Sequence, residues 1–307
     1  MILLWGSPSD APIVAVRDAL KRMGIGHVLL DCDAVDQSSI EWSVGAQFSG
    51  CLRMPDFALD LTRITACYLR PDSRFRSDIA DATASDREAQ AHAIQVEDCL
   101  LGWSELTEAL VLNRPSAMAS NGSKPYQLLR VAEAGFRIPE TLVTTDPDAA
   151  RAFWREHGQV IYKSVSGIRS IVSRLTENHQ DRLDDVQTCP TQFQNYVAGT
   201  DIRVHVVGCH VFACEILSQA DDYRYATRSG QDVVLLPCVL PDPVIQRCHA
   251  LTQALNLPLA GIDLRLGDDG AWYCFEVNPT PGFTFYQDQT GQPIAEAIAA
   301  CLAQPGL

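Results

Sequence analysis

The segment Gly261-Ile262-Asp263-Leu264-Arg265, the turn Gly267-Asp268-Asp269-Gly270 and the run Phe275-Glu276-Val277-Asn278-Pro279-Thr280-Pro281-Gly282-Phe283 constrain this chain more than any other feature. Two mostly apolar runs joined by a Gly-Asp-Asp-Gly turn predict an antiparallel hairpin. Residues two apart on a strand face the same side, so Glu276 and Asn278 point together and Asp263 on the paired strand joins them. Three oxygen donors then converge. Such a set suits Mg²⁺, which takes one or two carboxylates and leaves its other positions to phosphate oxygens and water. Polar breaks in an apolar strand pattern mark sites more than solvated faces.

Upstream, residues 1–112 read as an α/β lobe. An apolar strand over 1–5 leads through Ser7-Pro8-Ser9-Asp10 into a helix with Val14, Leu20 and Met23 at helical spacing, then a strand over 27–30. A further strand is predicted at 65–69 and helices over 85–108. No GxGxxG follows the first strand, which removes support for a dinucleotide fold. Turn-rich Leu112-Asn113-Arg114-Pro115 and Asn121-Gly122-Ser123 mark a boundary. Residues 113–198 then read as a small α+β lobe, with a helix over 124–134 that has Ser123 at its N-cap and Gly135 as its stop. A capped helix over 146–156 and strands over 138–144, 160–163, 170–175 and 192–197 complete it. Residues 199–307 form a strand-rich third lobe, with strands over 203–207 and 210–217, a helix over 243–255, the hairpin and a final helix over 293–302.

The formal charge of −14 argues against a phosphate-backbone binder, because nucleic-acid association needs clustered Lys and Arg. It does not exclude a nucleotide site, where a few cations and magnesium act locally. With 47% hydrophobic and 20% charged residues and no biased segment, the composition is that of a folded globular chain. Eleven cysteines contain no CxxC pair, so neither a zinc ribbon nor a redox pair is signalled, and most read as buried thiols. No signal peptide and no apolar run long enough to span a bilayer is seen, so the expectation is a cytoplasmic protein without membrane partners.

The D…E-x-N-P-x-P-G ending resembles that of the ATP-grasp superfamily. The similarity extends over roughly residues 112 to 303, and in wording it is closest to the branch holding the ribosomal-protein glutamate ligases and the microviridin-type peptide macrocyclases. The resemblance implies an ATP-grasp fold, an N-terminal α/β lobe followed by two α+β lobes that clasp ATP, with Asp263, Glu276 and Asn278 as ligands of two Mg²⁺ ions and Mn²⁺ as an alternative. It further implies phosphate contacts from Lys124 and from Lys163, which ends a strand before Ser164-Val165-Ser166-Gly167, a loop that relatives close over the nucleotide. Adenine is expected at Gln194, Asn195, Tyr196 and Val197, read by the backbone of a strand edge between apolar walls, and ribose at Asp201. Arg203 and Arg224 carry planar, always-charged forks suited to the transferred phosphate and the substrate carboxylate. Arg224 is favoured for the phosphate and Arg203 for the substrate, with the roles exchangeable. Arg265 is a third candidate because it shares the face of Asp263, whereas His205, a lone strand histidine, reads as structural.

The implied chemistry transfers the γ-phosphoryl of ATP to a carboxylate, after which an amine or hydroxyl displaces phosphate. Three classes of function are consistent with this: a peptide-modifying ligase acting on a precursor peptide, a small-molecule amino-acid or dipeptide ligase of glutathione-synthetase type, and a nucleotide-binding scaffold without turnover. The joint presence of Lys124, Lys163, Asp263, Glu276 and Asn278 speaks against the third. A homodimer is compatible with all three.

Overall fold

The computed structural model describes residues 1–45, 48–76, 83–165, 172–218 and 232–304. Strand β1 (Ile2–Gly6) is buried along its whole length, as expected for an inner parallel strand covered on both faces. It is followed by α1 (Ala11–Arg22), β2 (His27–Asp31), β3 (Ser39–Val44), β4 (Phe48–Arg53), β5 (Ala58–Asp60), β6 (Ala66–Arg70), α2 (Ala84–Leu106) and β7 (Leu110–Leu112). The parallel sheet runs β2-β1-β6-β7. Ile2 and Leu4 pack on α1 through Ile13, Val16 and Leu20, and Leu3 and Trp5 face α2 through Val96, Leu100 and Trp103.

Two features of this lobe differ from what the sequence predicts. The span 85–108 is one helix, begun by a capping box in which Thr83 and Asp86 satisfy each other's backbone N–H groups. Between β2 and β6 lies a small antiparallel sheet, β3-β4-β5. In β3 the run Ser39-Ile40-Glu41-Trp42-Ser43-Val44 does alternate polar and apolar residues, a period-two signal that the expected strands do not include, whereas Phe48-Ser49-Gly50-Cys51-Leu52-Arg53 in β4 does not alternate.

After α3 (Pro115–Met118), helix α4 (Lys124–Glu133) spends its buried face on the last lobe, through Val131 and Gln127. Ser123 stands at the N-cap without a side-chain cap bond, so it does not cap α4 as expected. The small sheet comprises β8 (Thr141–Thr144), β9 (Val160–Ser164), β10 (Ser173–Arg174) and β11 (Thr191–Asn195), ordered β10-β9-β11-β8, with α5 (Pro147–His157) on one face. Asp146 caps α5 by accepting from Asp148 N at 2.9 Å.

The large sheet comprises β12 (Gly199–Val207), β13 (His210–Ser218), β14 (Val233–Cys238), β15 (Leu259–Gly267) and β16 (Trp272–Asn278), ordered β14-β13-β12-β15-β16. Gly208 (φ +54°) and Gly270 (φ +74°) supply the left-handed turn conformations of its two hairpins. Helix α6 (Asp242–Ala254), between β14 and β15, covers the apolar face with Val244, Cys248 and Leu251. After α7 (Thr284–Thr290), helix α8 (Ile294–Ala303) crosses back to α1, where Ile294, Ile298 and Leu302 join one core with Ile13, Val207 and Leu259. The boundary just after β7 is also bolted to the last lobe by buried Asn113, whose Nδ2 donates to Leu259 O and Pro279 O at 2.6 Å each.

A second bolt holds α4 against the sheet edge. Gln127 Nε2 donates to Val277 O at 2.7 Å, and its Oε1 accepts from Val277 N at 2.8 Å. Edge strand β16 therefore has its backbone completed by a side chain in place of another strand. Gln127→Ala removes both partners at once. We expect a loss of about 2–4 kcal/mol of stability from two buried unpaired backbone groups, measured by urea unfolding; a loss under about 0.5 kcal/mol would show that water replaces the carboxamide.

Candidate active site

The polar face of the large sheet is a checkerboard of cross-strand charge pairs. In the β12–β15 ladder Asp201 lies opposite Arg265, Arg203 opposite Asp263, and His205 opposite Gly261. In β16 Glu276 lies opposite Asp263 and Asn278 opposite Gly261. Because one-residue steps alternate faces, all these polar side chains share the face turned away from α6.

One irregularity decides where Glu276 points. The β15–β16 register shifts between Asp263 and Leu264, so Cys274 pairs with Leu264 and Glu276 with Asp263, leaving Phe275 as an extra residue. Cys274 and Val277 are both buried, three apart, which strict alternation forbids. A β-bulge therefore turns Phe275 and Glu276 to the polar face together. Phe275 packs under the Arg265 guanidinium at 5.1 Å, and Glu276 is brought level with Asp263.

Arg203, 5% exposed, donates from Nη1 to Asp263 Oδ1 at 2.6 Å, and its guanidinium lies 5.4 Å from the Tyr286 ring. His205 packs against the same ring at 4.9 Å. Burial, and secondarily the neighbouring Arg203 charge, holds the His205 pKa well below the usual imidazole range, so this histidine is a neutral spacer. Lys124, 6% exposed at the start of α4, extends its Nζ to 3.8 Å from Glu276 Oε2. Asn278 Oδ1 accepts from Thr280 N at 2.9 Å, which shapes the Asn-Pro-Thr-Pro-Gly turn. Beneath that turn Arg70, at the carboxyl end of β6, donates from Nη1 to Thr280 O at 3.2 Å and is paired with Asp10.

Arg265 and Asp201 are committed to each other. Arg265 Nε and Nη2 reach the two Asp201 oxygens at 2.7 and 2.9 Å, and Nη1 donates to Val197 O at 2.6 Å. Arg265 thus straps the large sheet to the segment leaving β11, with Tyr196 stacked between it (5.7 Å) and Arg174 (4.2 Å). That is a positioning arrangement and not the open guanidinium that a phosphate contact implies.

The segment 194–197 also differs from the strand edge expected for it. Strand β11 is an inner strand between β9 and β8, and beyond it Asn195 N donates to Glu140 O at 3.1 Å and Tyr196 N to Gln159 O at 2.8 Å. Backbone reading of a base at those two N–H groups is closed, because each already has a carbonyl partner. Lys163, 6% exposed, lies on the face of the small sheet opposite its Phe193 core, level with Gln192. Gly167 and Arg224 lie outside the described residues.

The donor set fits a magnesium ion. Asp263, Glu276 and Asn278 are all oxygen donors at intermediate burial, and among the described residues Asp263 Oδ2 and both Glu276 oxygens carry no hydrogen bond, their nearest partner being Lys124 at 3.8 Å from Glu276 Oε2. Asp31, Cys32 and Asp33 also cluster, with one oxygen of each carboxylate bonded within the turn, Asp31 Oδ1 accepting from Asp33 N and Asp33 Oδ1 from Arg74 N. A separate open cleft of about 1610 Å³, lined by Arg114, Tyr126, Cys209, His249 and Asn256 among others, shares none of the polar-face residues.

Residues 119–302 match the model of the RimK-like ATP-grasp domain. The chain belongs to the RimK-like ATP-grasp family. Beta-citrylglutamate synthase B of Danio rerio is 26% identical over 201 residues, covering 62% of this chain and 49% of the relative. D-alanine--D-alanine ligase of Geobacillus thermodenitrificans is 25% identical over 208 residues, 56% of each chain. The chain spans about half the length of the curated relatives it matches. Solved structures match over nearly the whole chain. The macrocyclase MdnC of Microcystis aeruginosa, bound with its precursor peptide MdnA, superposes with a TM-score of 0.82 at 24% identity, covering 99% of this chain and 100% of that one. The ATP-grasp ligase PsnB complexed with a minimal precursor gives 0.79 at 25% identity, covering 98% and 97%.

Several residues of this RimK-like site carry no motif. Gln127 sits among the apolar residues of α4, where a polar residue beside Leu128 and Val131 on a buried helix face is itself a signal. Arg70 follows an apolar strand and precedes Pro71, at the carboxyl end of a parallel sheet where open α/β sheets gather ligands. Tyr286 lies in a short helix that no apolar periodicity marks.

Proposed function

We propose that the chain is an ATP- and Mg²⁺-dependent ligase that activates a carboxylate as an acyl phosphate and joins it to an amine or hydroxyl of a peptide. The observation that carries this reading is the convergence of Arg203, Asp263, Glu276 and Lys124 on one face, with Arg203 held 2.6 Å from Asp263 and Lys124 3.8 Å from Glu276. Cations and carboxylates alternate there as a phosphoryl-transfer site requires, and no described side chain there stands as a covalent nucleophile.

In this reading Asp263, Glu276 and Asn278 hold magnesium, which when bound neutralises the charge on the transferred phosphoryl group. Lys124 and Lys163 contact phosphates, and Arg265 holds the base segment in place through Val197 and Tyr196. Arg203 binds the substrate carboxylate or its acyl phosphate. A carboxylate oxygen attacks the γ-phosphorus and ADP leaves. The nucleophile then attacks the acyl carbon, phosphate leaves, and the nucleophile's proton passes to solvent.

A peptide substrate is supported by the neighbours that match through the N-terminal lobe as well as the ATP-grasp lobes, several of which, MdnC and PsnB among them, are in complex with a precursor. A small-molecule acceptor is the second reading, supported by the curated synthase and D-alanine ligase, each matching only 56–62% of the chain. Among the described residues no helix is long and apolar enough to cross a membrane. The purified protein should release ADP only with Mg²⁺ and a carboxylate acceptor. Acidic peptides should stimulate release more than free amino acids or citrate; the reverse order would favour the second reading, and no release with any acceptor would remove the first.

A further inference from the structure

Strand β16 ends at Asn278, and among the described residues the backbone of 279–282 beyond it makes no hydrogen bond to another backbone group. Pro279 and Pro281 have no N–H to offer. Side chains from outside the hairpin hold this turn instead. Asn113 Nδ2 donates to Pro279 O at 2.6 Å, and Arg70 Nη1 donates to Thr280 O at 3.2 Å and to Pro281 O at 3.4 Å. Three successive peptide planes are thus pinned by their carbonyls, the first from the boundary after β7 and the next two from the end of β6. The first of these planes also carries Thr280 N, which donates to Asn278 Oδ1 at 2.9 Å. That bond sets the direction of the Asn278 carboxamide, since its Nδ2 cannot accept an N–H, and leaves the second lone pair of Oδ1 for another partner.

Arg70 owes its own direction to Asp10. Asp10 stands at the N-cap of α1, where an aspartate ordinarily accepts a helix N–H, but its side chain makes no cap bond, and Oδ2 instead accepts from Arg70 Nε at 2.5 Å. The pair lies at the carboxyl ends of the neighbouring strands β1 and β6, where the strand order of the sheet reverses. Cohesion between the lobes does not depend on it. Phe283, just past the turn, is fully buried in one core with Ile13, Tyr68 and Ile298, and a partly exposed ion pair adds little to such an apolar interface. What the guanidinium supplies is geometry: one planar fork reaches a carboxylate and two carbonyls at once, which an ammonium cannot hold together.

Resting on the reading of Asn278 as a magnesium ligand, we propose that Arg70 is a positioning residue of the metal site: by holding Thr280 O and Pro281 O it fixes the turn, and the turn fixes Asn278 Oδ1 on the face shared with Asp263 and Glu276. The N-terminal lobe thereby sets the geometry of a metal site whose ligands all lie in the last lobe. Removing an outer partner of this kind costs about 10- to 100-fold in metal affinity.

The test is calorimetric titration of the full chain with ADP, in Mg²⁺ and in EDTA, for the wild type, Arg70→Met, Arg70→Lys, Asn278→Ala and the double variant Arg70→Met with Asn278→Ala. The wild type is expected to bind ADP more tightly in Mg²⁺, and the ratio of the two dissociation constants reads the metal site. Arg70→Met and Asn278→Ala should each lower that ratio by about 10-fold while leaving the affinity in EDTA unchanged. Arg70→Lys should lower it nearly as much, because the charge is kept and the fork is lost. The double variant should match Asn278→Ala alone, since a residue that acts through Asn278 then has nothing to position. An unchanged ratio in Arg70→Met, or effects that add in the double variant, would overturn the role of Arg70 and leave the magnesium reading standing. An unchanged ratio in Asn278→Ala, or no effect of Mg²⁺ on the wild type, would overturn the magnesium reading and this inference with it. If both Arg70 variants melt well below the wild type and lose ADP affinity equally in Mg²⁺ and in EDTA, Arg70 is structural and the proposal fails.

Discussion

Glu276→Ala is expected to lower Mg²⁺-dependent ADP release by roughly 10³-fold while leaving the chain folded, the scale of removing one preorganised charge-stabilising group. The folding half of the expectation follows from geometry. Among the described residues Glu276 makes no side-chain hydrogen bond, is 21% exposed and meets Lys124 at 3.8 Å; its loss removes no packed contact, and leaving the buried Lys124 ammonium uncompensated costs at most about 3–5 kcal/mol, short of unfolding a domain of ordinary stability. The catalytic half follows from the bulge. An extra residue in β16 is the device that sets this carboxylate level with Asp263, and a strand does not carry such a defect to display a surface acid. Removing Glu276 also leaves buried Lys124 without its counter-charge; on the proposed reading Lys124 contacts nucleotide phosphate, so the apparent affinity for free ATP should change less than turnover. Activity assayed across a Mg²⁺ titration separates the outcomes: a pure metal-ligand defect is partly restored at high Mg²⁺. Full turnover at ordinary Mg²⁺ would remove Glu276 from the metal site.

Much of this site is legible in the amino-acid sequence, and the parts that are not share common causes. The hairpin, the helix from Lys124 and the pairing of Glu276 with Asn278 follow from periodicity and turn chemistry, which act over a few residues. The bulge does not, because the extra residue that turns Phe275 and Glu276 to the site together exists only in the pairing of β16 with β15. Arg265 illustrates the same limit. Strand alternation correctly sets it on the face of Asp263, yet its guanidinium is consumed by Asp201 directly across the ladder and by Val197 O, a partnership visible only once β12 and β15 are neighbours. Similarly, the segment at Gln194 reads equally well as an edge or an inner strand. Its inner position comes from β8 and β9 flanking it, and that closes some of the backbone groups an edge would offer.

Gly261→Ala is expected to reduce activity by roughly 10²-fold and to destabilise the fold by about 1–3 kcal/mol, the usual cost of overpacking, whereas Gly282→Ala should behave like the wild type. The motif points to the opposite ranking, since Gly282 closes the Asn-Pro-Thr-Pro-Gly run and Gly261 looks like an ordinary strand residue. Space decides it. A Cβ added at Gly261 would lie 2.7 Å from Arg203 Cζ and 2.8 Å from Pro281 Cβ, while one added at Gly282 meets nothing within 4 Å. The absent side chain at Gly261 is therefore the slot through which Arg203 reaches Asp263. Filling it leaves two relaxations. Either Arg203, confined against Tyr286 and His205, swings away and leaves Asp263 without its 2.6 Å partner, or the turn carrying Pro281 lifts and takes Asn278 with it. Both misplace a group by about the size of a methyl, and a misplacement near 1 Å costs on the order of 10² in rate. The pair of variants is measured by ADP release and by thermal unfolding of the same preparations. Equal behaviour of Gly261→Ala and Gly282→Ala would mean that Arg203 has another route to Asp263 and that its placement does not limit the reaction.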